Sequence, residues 1–415
     1  MKNLLCVAVF FSCMTPRFHH NVSIYFLLLV LLLIIYFIKG SKTKLKISYT
    51  KIKDISVFAI WVLVAIIQLY GSVSINHSLV DIYYLVVGLF SVIALNLIAK
   101  DEDTFQKCFG VITLALLIHC AIGCFEIFRT THLFEVGVID TLHVGKPVSI
   151  FTNNNDFGTF VFVTMAIALA YVNKKFNGRK MLVFGSSIVS LCMSLIIYAQ
   201  SDTTLLALFL LLVVFLTIVF KKKMSLISRV FVIICMVSVV LILLFSFSNT
   251  LEMAFGEFMI HERARVNLIR NGLTFLIDTW GLGIGYGNAQ YYLQYKSIYN
   301  VFDIFYFHNW YLEILVCGGV CVFLLYMNFH IGIIKRFYLI ITNRAIKDLA
   351  DSDSVINRKI INCLYVSFLI FSVVSISSSA NLYSEWVWMY LGLVSAYSNY
   401  LLQKYFELNK QTCSK

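Results

Sequence analysis

The chain has 415 residues, of which 60% are hydrophobic and 13% charged, with mean hydropathy +0.86 and formal net charge +12. Soluble domains carry about 25% charged residues, so this composition excludes an ordinary soluble globule. It points to an all-α polytopic membrane protein, because spans of about 20 apolar residues match a hydrocarbon layer roughly 30 Å thick, while barrel strands alternate over about 10 residues.

Eleven spans are predicted in chain order, over residues 25–38, 55–70, 79–99, 108–128, 157–172, 181–199, 203–220, 227–247, 310–334, 360–379 and 386–402. Residues 4–11 form either a short twelfth span or the apolar core of a signal peptide. The whole chain, 1–415, reads as one membrane domain with no soluble module. Its largest polar connection covers residues 248–307. That segment is rich in Tyr, Phe and Ile, which argues for an ordered loop, and long ordered loops usually carry function.

The basic excess is topological. Alternate linkers, at 39–53, 100–107, 173–180, 221–229, 335–359 and 403–415, hold 25 of the 33 Lys and Arg residues. Short linkers rich in Lys and Arg remain cytoplasmic, so the 248–307 loop is expected outside and no nucleic-acid partner is implied. Eleven Cys are present and none lies in that loop, so no disulfide framework is visible there. Cys120/Cys124 and Cys317/Cys321 stand four residues apart on apolar helices and read as small packing residues. No cluster has zinc spacing, and neither metal nor cofactor is expected. Proline occurs only at Pro16 and Pro147, so interrupted helices are poorly advertised.

Candidate chemistry concentrates in the loop. On a helix over 262–278, Arg263, Asn267, Arg270, Asn271, Thr274 and Asp278 share a polar face. Leu268, Ile269, Gly272, Leu273 and Leu276 form the opposite stripe, with Arg265 in its middle. A guanidinium on an apolar stripe is costly unless an anion meets it, and its fork suits phosphate. Alternatively it snorkels to the interface or pairs with Glu257. Arg263 and Arg270 default to solvated charge and are secondary substrate contacts. His308, beside Asn309 at the mouth of the span opened by Trp310, is placed to take a proton from a sugar hydroxyl, or is an interfacial His among aromatic residues. Glu313 lies in the first turns of the same span, where a carboxylate faces the bundle interior. The run GLGIGYGN (281–288) lacks the βαβ context of a dinucleotide fingerprint. It reads as a Gly/Asn turn whose amides are available to a phosphate. Asn153, Asn155 and Asp156, in FTNNNDFG, read as a helix start that also touches substrate.

In this order the motifs carry a resemblance. FTNNNDFG opens a mid-chain span, Arg265 opens the outer loop, and GLGIGYGN is followed by FHNWYLEILVCGG entering a late span. The chain resembles the O-antigen ligase/polymerase superfamily of bacterial envelope proteins, well over residues 150–335 and elsewhere by hydropathy. The resemblance implies a multi-pass glycosyltransferase of the bacterial inner membrane using glycans linked to undecaprenyl diphosphate as donor and acceptor. Arg265 would hold the diphosphate, and His308 would act as base toward the acceptor hydroxyl. Gly283, Gly285, Gly287 and Asn288 would shape the donor site. Chain-length regulators, flippases and membrane lipids are the implied partners. Many members carry a Ser-Arg pair at an outer turn where this chain has Ser201-Asp202, so another cation must serve or the donor binds differently. The expected reaction is polymerisation of lipid-linked repeat units. Ligation of finished glycan to another acceptor is the alternative, and a glycan-lipid flippase a lesser one.

Overall fold

The computed structural model describes residues 1–14, 22–40, 48–134, 145–201, 204–205, 207–208, 251–342, 358–377 and 381–413, with backbone alone for 40, 251–262 and 408–413. The helices are α1 Lys2–Met14, α2 Ile24–Gly40, α3 Tyr49–Gln68, α4 Ile75–Ile98, α5 Glu102–Arg129, α6 Asn154–Lys175 and α7 Gly178–Ala199. After them come α8 Leu251–Asp278, α9 Ala289–Tyr295, α10 Trp310–Thr342, α11 Arg358–Val374 and α12 Glu385–Cys413. Seven stretches among the described residues are long and apolar enough to cross a membrane: α3, α4, α5, α6, α7, α10 and α11, with α3 and α11 each extended by a short 3₁₀ turn. Expected spans 25–38 and 386–402 fall in α2 and α12. Those at 203–220 and 227–247 lie almost wholly outside the described residues, as does Asp202.

The architecture is the all-α polytopic membrane fold that hydropathy required. Helices satisfy their own backbone groups, which lipid cannot do. Large apolar side chains such as Leu27 and Ile34 on α2, Leu63 and Ile67 on α3, and Leu182 and Phe184 on α7 are exposed on the outside of the bundle. A belt of that size on a folded chain is a lipid-facing surface. The most enclosed helix is α12, buried at every position from 385 to 400. It packs along α4, and glycines make the close approach possible. A Cβ at Gly88 would lie 2.5 Å from the Trp388 ring, and one at Gly392 would lie 2.9 Å from the Ser91 carbonyl oxygen. Small residues serve this purpose where lipid supplies no hydrophobic drive between helices.

One end of the bundle is held by a buried polar cluster. The Arg336 guanidinium grips both Asp54 oxygens, at 3.2 and 2.8 Å. Ser395 and Asn399 donate to Asp54 Oδ2 at 2.6 and 3.0 Å. Asn399 also donates to Asn96 Oδ1, and Lys51 donates to the Asn96 carbonyl, each at 3.0 Å. The cluster ties α3, α4, α10 and α12 together. A paired charge with its lone pairs filled is the tolerated form of buried ion.

The structure corrects one expectation about helix continuity. Helix α10 breaks at Gly319, whose φ of 81° and ψ of 173° leave the helical region. No proline is needed, because glycine adopts positive φ without a Cβ clash. The carbonyls of Val316 and Cys317 accept from the amides of Ile284 and Gly285, at 2.8 and 3.1 Å.

Candidate active site at one end of the bundle

The GLGIGYGN turn is docked into that break. Besides the two bonds to Val316 and Cys317, Val320 donates back to the Gly281 carbonyl at 2.9 Å. The Gln68 amide bridges the Leu282 and Cys317 carbonyls at 2.9 and 3.1 Å. Gly283 lies where a Cβ would be 2.6 Å from the Cys317 oxygen and from the Gly319 nitrogen. The Tyr286 hydroxyl accepts from the Trp61 indole at 2.6 Å, and its carbonyl accepts from the Ser78 hydroxyl at 2.6 Å. Asn288, buried, accepts from the Val73 amide at 3.0 Å and donates to the Ile284 carbonyl at 2.6 Å.

These contacts revise the expected chemistry of the turn. The amides of Gly281, Leu282, Ile284, Gly285 and Asn288 are engaged by carbonyls, and that of Gly287 by the Asp81 carboxylate at 2.6 Å. Amides so engaged do not cradle a phosphate. Gly283 and Gly287 are there because backbone meets backbone, and all four glycines of the turn take positive φ.

Above the turn, Asp81 organises a small cavity. Its Oδ1 accepts from the Tyr383 hydroxyl at 2.8 Å, and its Oδ2 from Gly287. Burial first, then the Asp81 and Glu313 carboxylates, push the Tyr383 hydroxyl far above the usual phenol range, so Tyr383 remains a donor. The cavity, about 140 Å³, is lined by Asp81 and His77 from α4, Gln290 from α9, Tyr306 and Phe307 before α10, Glu313 and Cys317 within it, and Tyr383 before α12. His77, Gln290 and Tyr306 are exposed at its mouth, while Phe307 is buried. Sequence reasoning does not single out Asp81 or Tyr383 as site residues. The signal for Asp81 is a carboxylate at the third position of the expected 79–99 span.

Helix α8 sits differently from its sequence pattern. The buried positions are Ala264, Leu268, Asn271, Gly272 and Phe275, a face turned by about a quarter-circle from the expected stripe at 100° per residue. Ile269 and Leu273, expected inside, are exposed. Asn271, expected on the wet face, is fully buried. Its amide donates to the Tyr299 carbonyl at 2.8 Å and accepts from the Ile298 and Tyr299 amides at 3.0 Å. Asn267 adds a bond to the Asn300 carbonyl at 2.8 Å. Ile269 and Leu273 are left exposed because the packed face of α8 is built on Ala264, Leu268, Gly272 and Phe275, with Asn271 bonded to residues 298–299.

Arg265 is half-buried at the edge of the packed face. It shares that edge with Gly272, two turns further on, roughly 10 Å at 1.5 Å per residue. A Cβ at Gly272 would lie 3.0 Å from Val316, 3.1 Å from Phe307 and 3.4 Å from Leu312, so α8 packs on residues either side of His308. His308, also half-buried, takes a positive φ of 46°. Asn309 caps α10, accepting the Leu312 amide at 3.0 Å. Arg263 and Arg270 are exposed, and the Arg270 guanidinium stands 5.5 Å from the Tyr299 ring centre. The structure thus packs the helix that carries Arg265 against the segment that carries His308, Asn309 and Glu313, with the glycine turn docked on α10.

Asn153 and Asn155 lie elsewhere in the chain's packing, at the start of α6. Asn153 caps the helix, accepting the Asp156 amide at 2.8 Å, and Asn154 ties it to the Ala199 carbonyl at 2.6 Å. Nearby, buried Glu126 accepts the Val148 and Ser149 amides, both at 2.8 Å. His119 bridges Ser149 Oγ and the Cys13 carbonyl, at 2.9 and 3.0 Å. Asn153, Asn154, Glu126 and His119 thus tie α6 and the segment before it to their neighbours.

Fold and site define a class: a multi-pass, all-helical membrane protein with a polar site gathered by one loop at one end of its bundle. Residues 186–327 match a family model described as O-antigen ligase, a segment that contains Arg265, the glycine turn, His308 and Glu313. The chain is also 26% identical over 362 residues to the teichuronic acid biosynthesis protein TuaE of Bacillus subtilis (strain 168), across 80% of this chain and 69% of that protein. Both findings support the resemblance to the O-antigen ligase/polymerase family that the motifs carry.

Proposed function

We propose that this protein is a polysaccharide polymerase that joins repeat units carried on undecaprenyl diphosphate, at the extracytoplasmic face of the bacterial inner membrane. The observation that carries it is the packing of α8 on Phe307 and Leu312, which brings the Arg265 helix against the segment bearing His308. The distribution of Lys and Arg along the linkers supports the outward orientation.

In this reading an acceptor hydroxyl oxygen attacks the anomeric carbon of the donor glycan. The bond from that carbon to the diphosphate oxygen breaks, and its electron pair leaves with the diphosphate. The hydroxyl proton passes to His308. Arg265 stabilises the charge that develops on the leaving group. The energy resides in the glycosyl–phosphate bond, so no nucleotide is consumed. Chain-length regulators and a flippase are the partners such a reaction needs, to set product length and to deliver substrate. Transfer of finished glycan to a different acceptor is the second reading, favoured by the ligase description of the matching family.

The test replaces Arg265 and His308 separately by Ala in the native host, reading glycan ladders beside protein level. Loss of long glycan at normal abundance is expected from both. Normal ladders from both remove the transferase reading. Deleting the gene separates the two reactions: single-repeat product marks a polymerase, and long glycan stranded on the carrier marks a ligase.

A further inference from the structure

The cavity around Asp81 and Glu313 has a chemistry that the transfer step above does not use. Its walls combine aromatic rings (Tyr306, Phe307, Tyr383) with two carboxylates. Rings offer an apolar face to the C–H side of a sugar, and carboxylates accept hydrogen bonds from its hydroxyls. Asp81 is already held by Tyr383 and Gly287. Glu313 has no cationic partner among the salt bridges of the described residues. The cavity volume of about 140 Å³ is below the roughly 300–1,000 Å³ that drug-sized ligands occupy, so it suits one sugar ring and no more.

We infer that this cavity is a subsite for a single sugar ring that bears no carboxylate, with Glu313 receiving its hydroxyls and Asp81 positioning the wall. A uronate ring would add a third carboxyl to a space whose lining already holds two and no Lys or Arg, and is disfavoured. The inference rests on the glycosyltransferase reading for its biological setting, where the ring is the accepting sugar. The binding itself does not require transfer. Asp81 acts through the glycine turn and Tyr383, and is a positioning residue.

The experiment uses the full chain in sugar-free lipid nanodiscs, with saturation-transfer NMR to methyl glucoside, methyl glucuronide and glucosamine. Transfer to methyl glucoside, several-fold weaker transfer to the glucuronide, and loss of that preference in Glu313→Gln are the expected results. Equal transfer to neutral and acidic sugars in the wild type overturns the subsite, and this arm needs no variant to fold. So does a preference for the neutral sugar that persists undiminished in a folded Glu313→Gln protein. Ladders lost in Arg265→Ala while the wild type shows no sugar preference sink the subsite and keep the transferase. Selective sugar binding beside normal ladders from Arg265→Ala and His308→Ala does the reverse.

Discussion

Asp81 and Gly287, 206 positions apart, are joined by a 2.6 Å hydrogen bond from the glycine amide to the carboxylate. The bond fixes the loop to α4 and leaves Gly287 at φ 83° with the Ser78 backbone where a Cβ would stand. Gly287→Ala is expected to destabilise the protein by at least the 1–3 kcal/mol, roughly, of a strained backbone. Thermal unfolding in detergent would read this as a lowered midpoint. Gly332, in α10 with nothing within 4 Å of its Cβ position, is the control, and Gly332→Ala should be neutral or slightly stabilising. Equal melting of Gly287→Ala and wild type would show that the turn is not docked as described.

The Asp54–Arg336 pair makes an asymmetric prediction. Removing one partner leaves an uncompensated buried charge, at a cost of about 3–5 kcal/mol. Arg336→Leu and Asp54→Leu should each lower the unfolding midpoint strongly, and the double variant less than the sum of the two. Additive losses would mean that the charges do not depend on one another.

Asn271 staples residues 298–299 to α8 by three hydrogen bonds. Asn271→Leu leaves two amides and a carbonyl without their partner, each worth roughly 1–3 kcal/mol if buried. Faster amide exchange and proteolysis within 296–303, with the bundle intact, are expected. Unchanged exchange there would contradict the stapling role.

At the site, Arg265→Lys keeps the charge and loses the fork that grips two phosphate oxygens. Its glycan ladders should fall between those of wild type and Arg265→Ala. Arg263, exposed on α8, should tolerate Ala with normal ladders. If Arg263→Ala and Arg265→Ala behave alike, surface charge in general and not a built site explains the effect.

Much of this was legible beforehand. Arg265, His308 and Glu313 were singled out because charged or titratable groups beside apolar runs are expensive. The start of α6 was readable from Asn153, since an Asx side chain before a helical run satisfies an open amide. The orientation of α8 was not. The periodicity rule assumes that apolar side chains turn inward, whereas the packed face of α8 is set by Ala264, Leu268, Gly272, Phe275 and the bonds of Asn271 to residues 298–299, which leaves Ile269 and Leu273 exposed. The sequence marks the glycine run as a turn with amides open to a ligand, whereas α10 takes those of Ile284 and Gly285 and Asp81 takes that of Gly287.

The order of apolar runs and basic linkers alone determined that the chain is a helical membrane protein with one large polar loop. Both signals are local, written in consecutive residues by the cost of carrying charge and bare backbone into lipid. Only the tertiary structure decided that Asp81, Tyr383, Gly287 and Glu313 meet around one cavity, and that Gly319 opens α10 to receive the turn. Those contacts join residues as far as 302 positions apart, and no local pattern encodes such distances; they follow from how the helices pack.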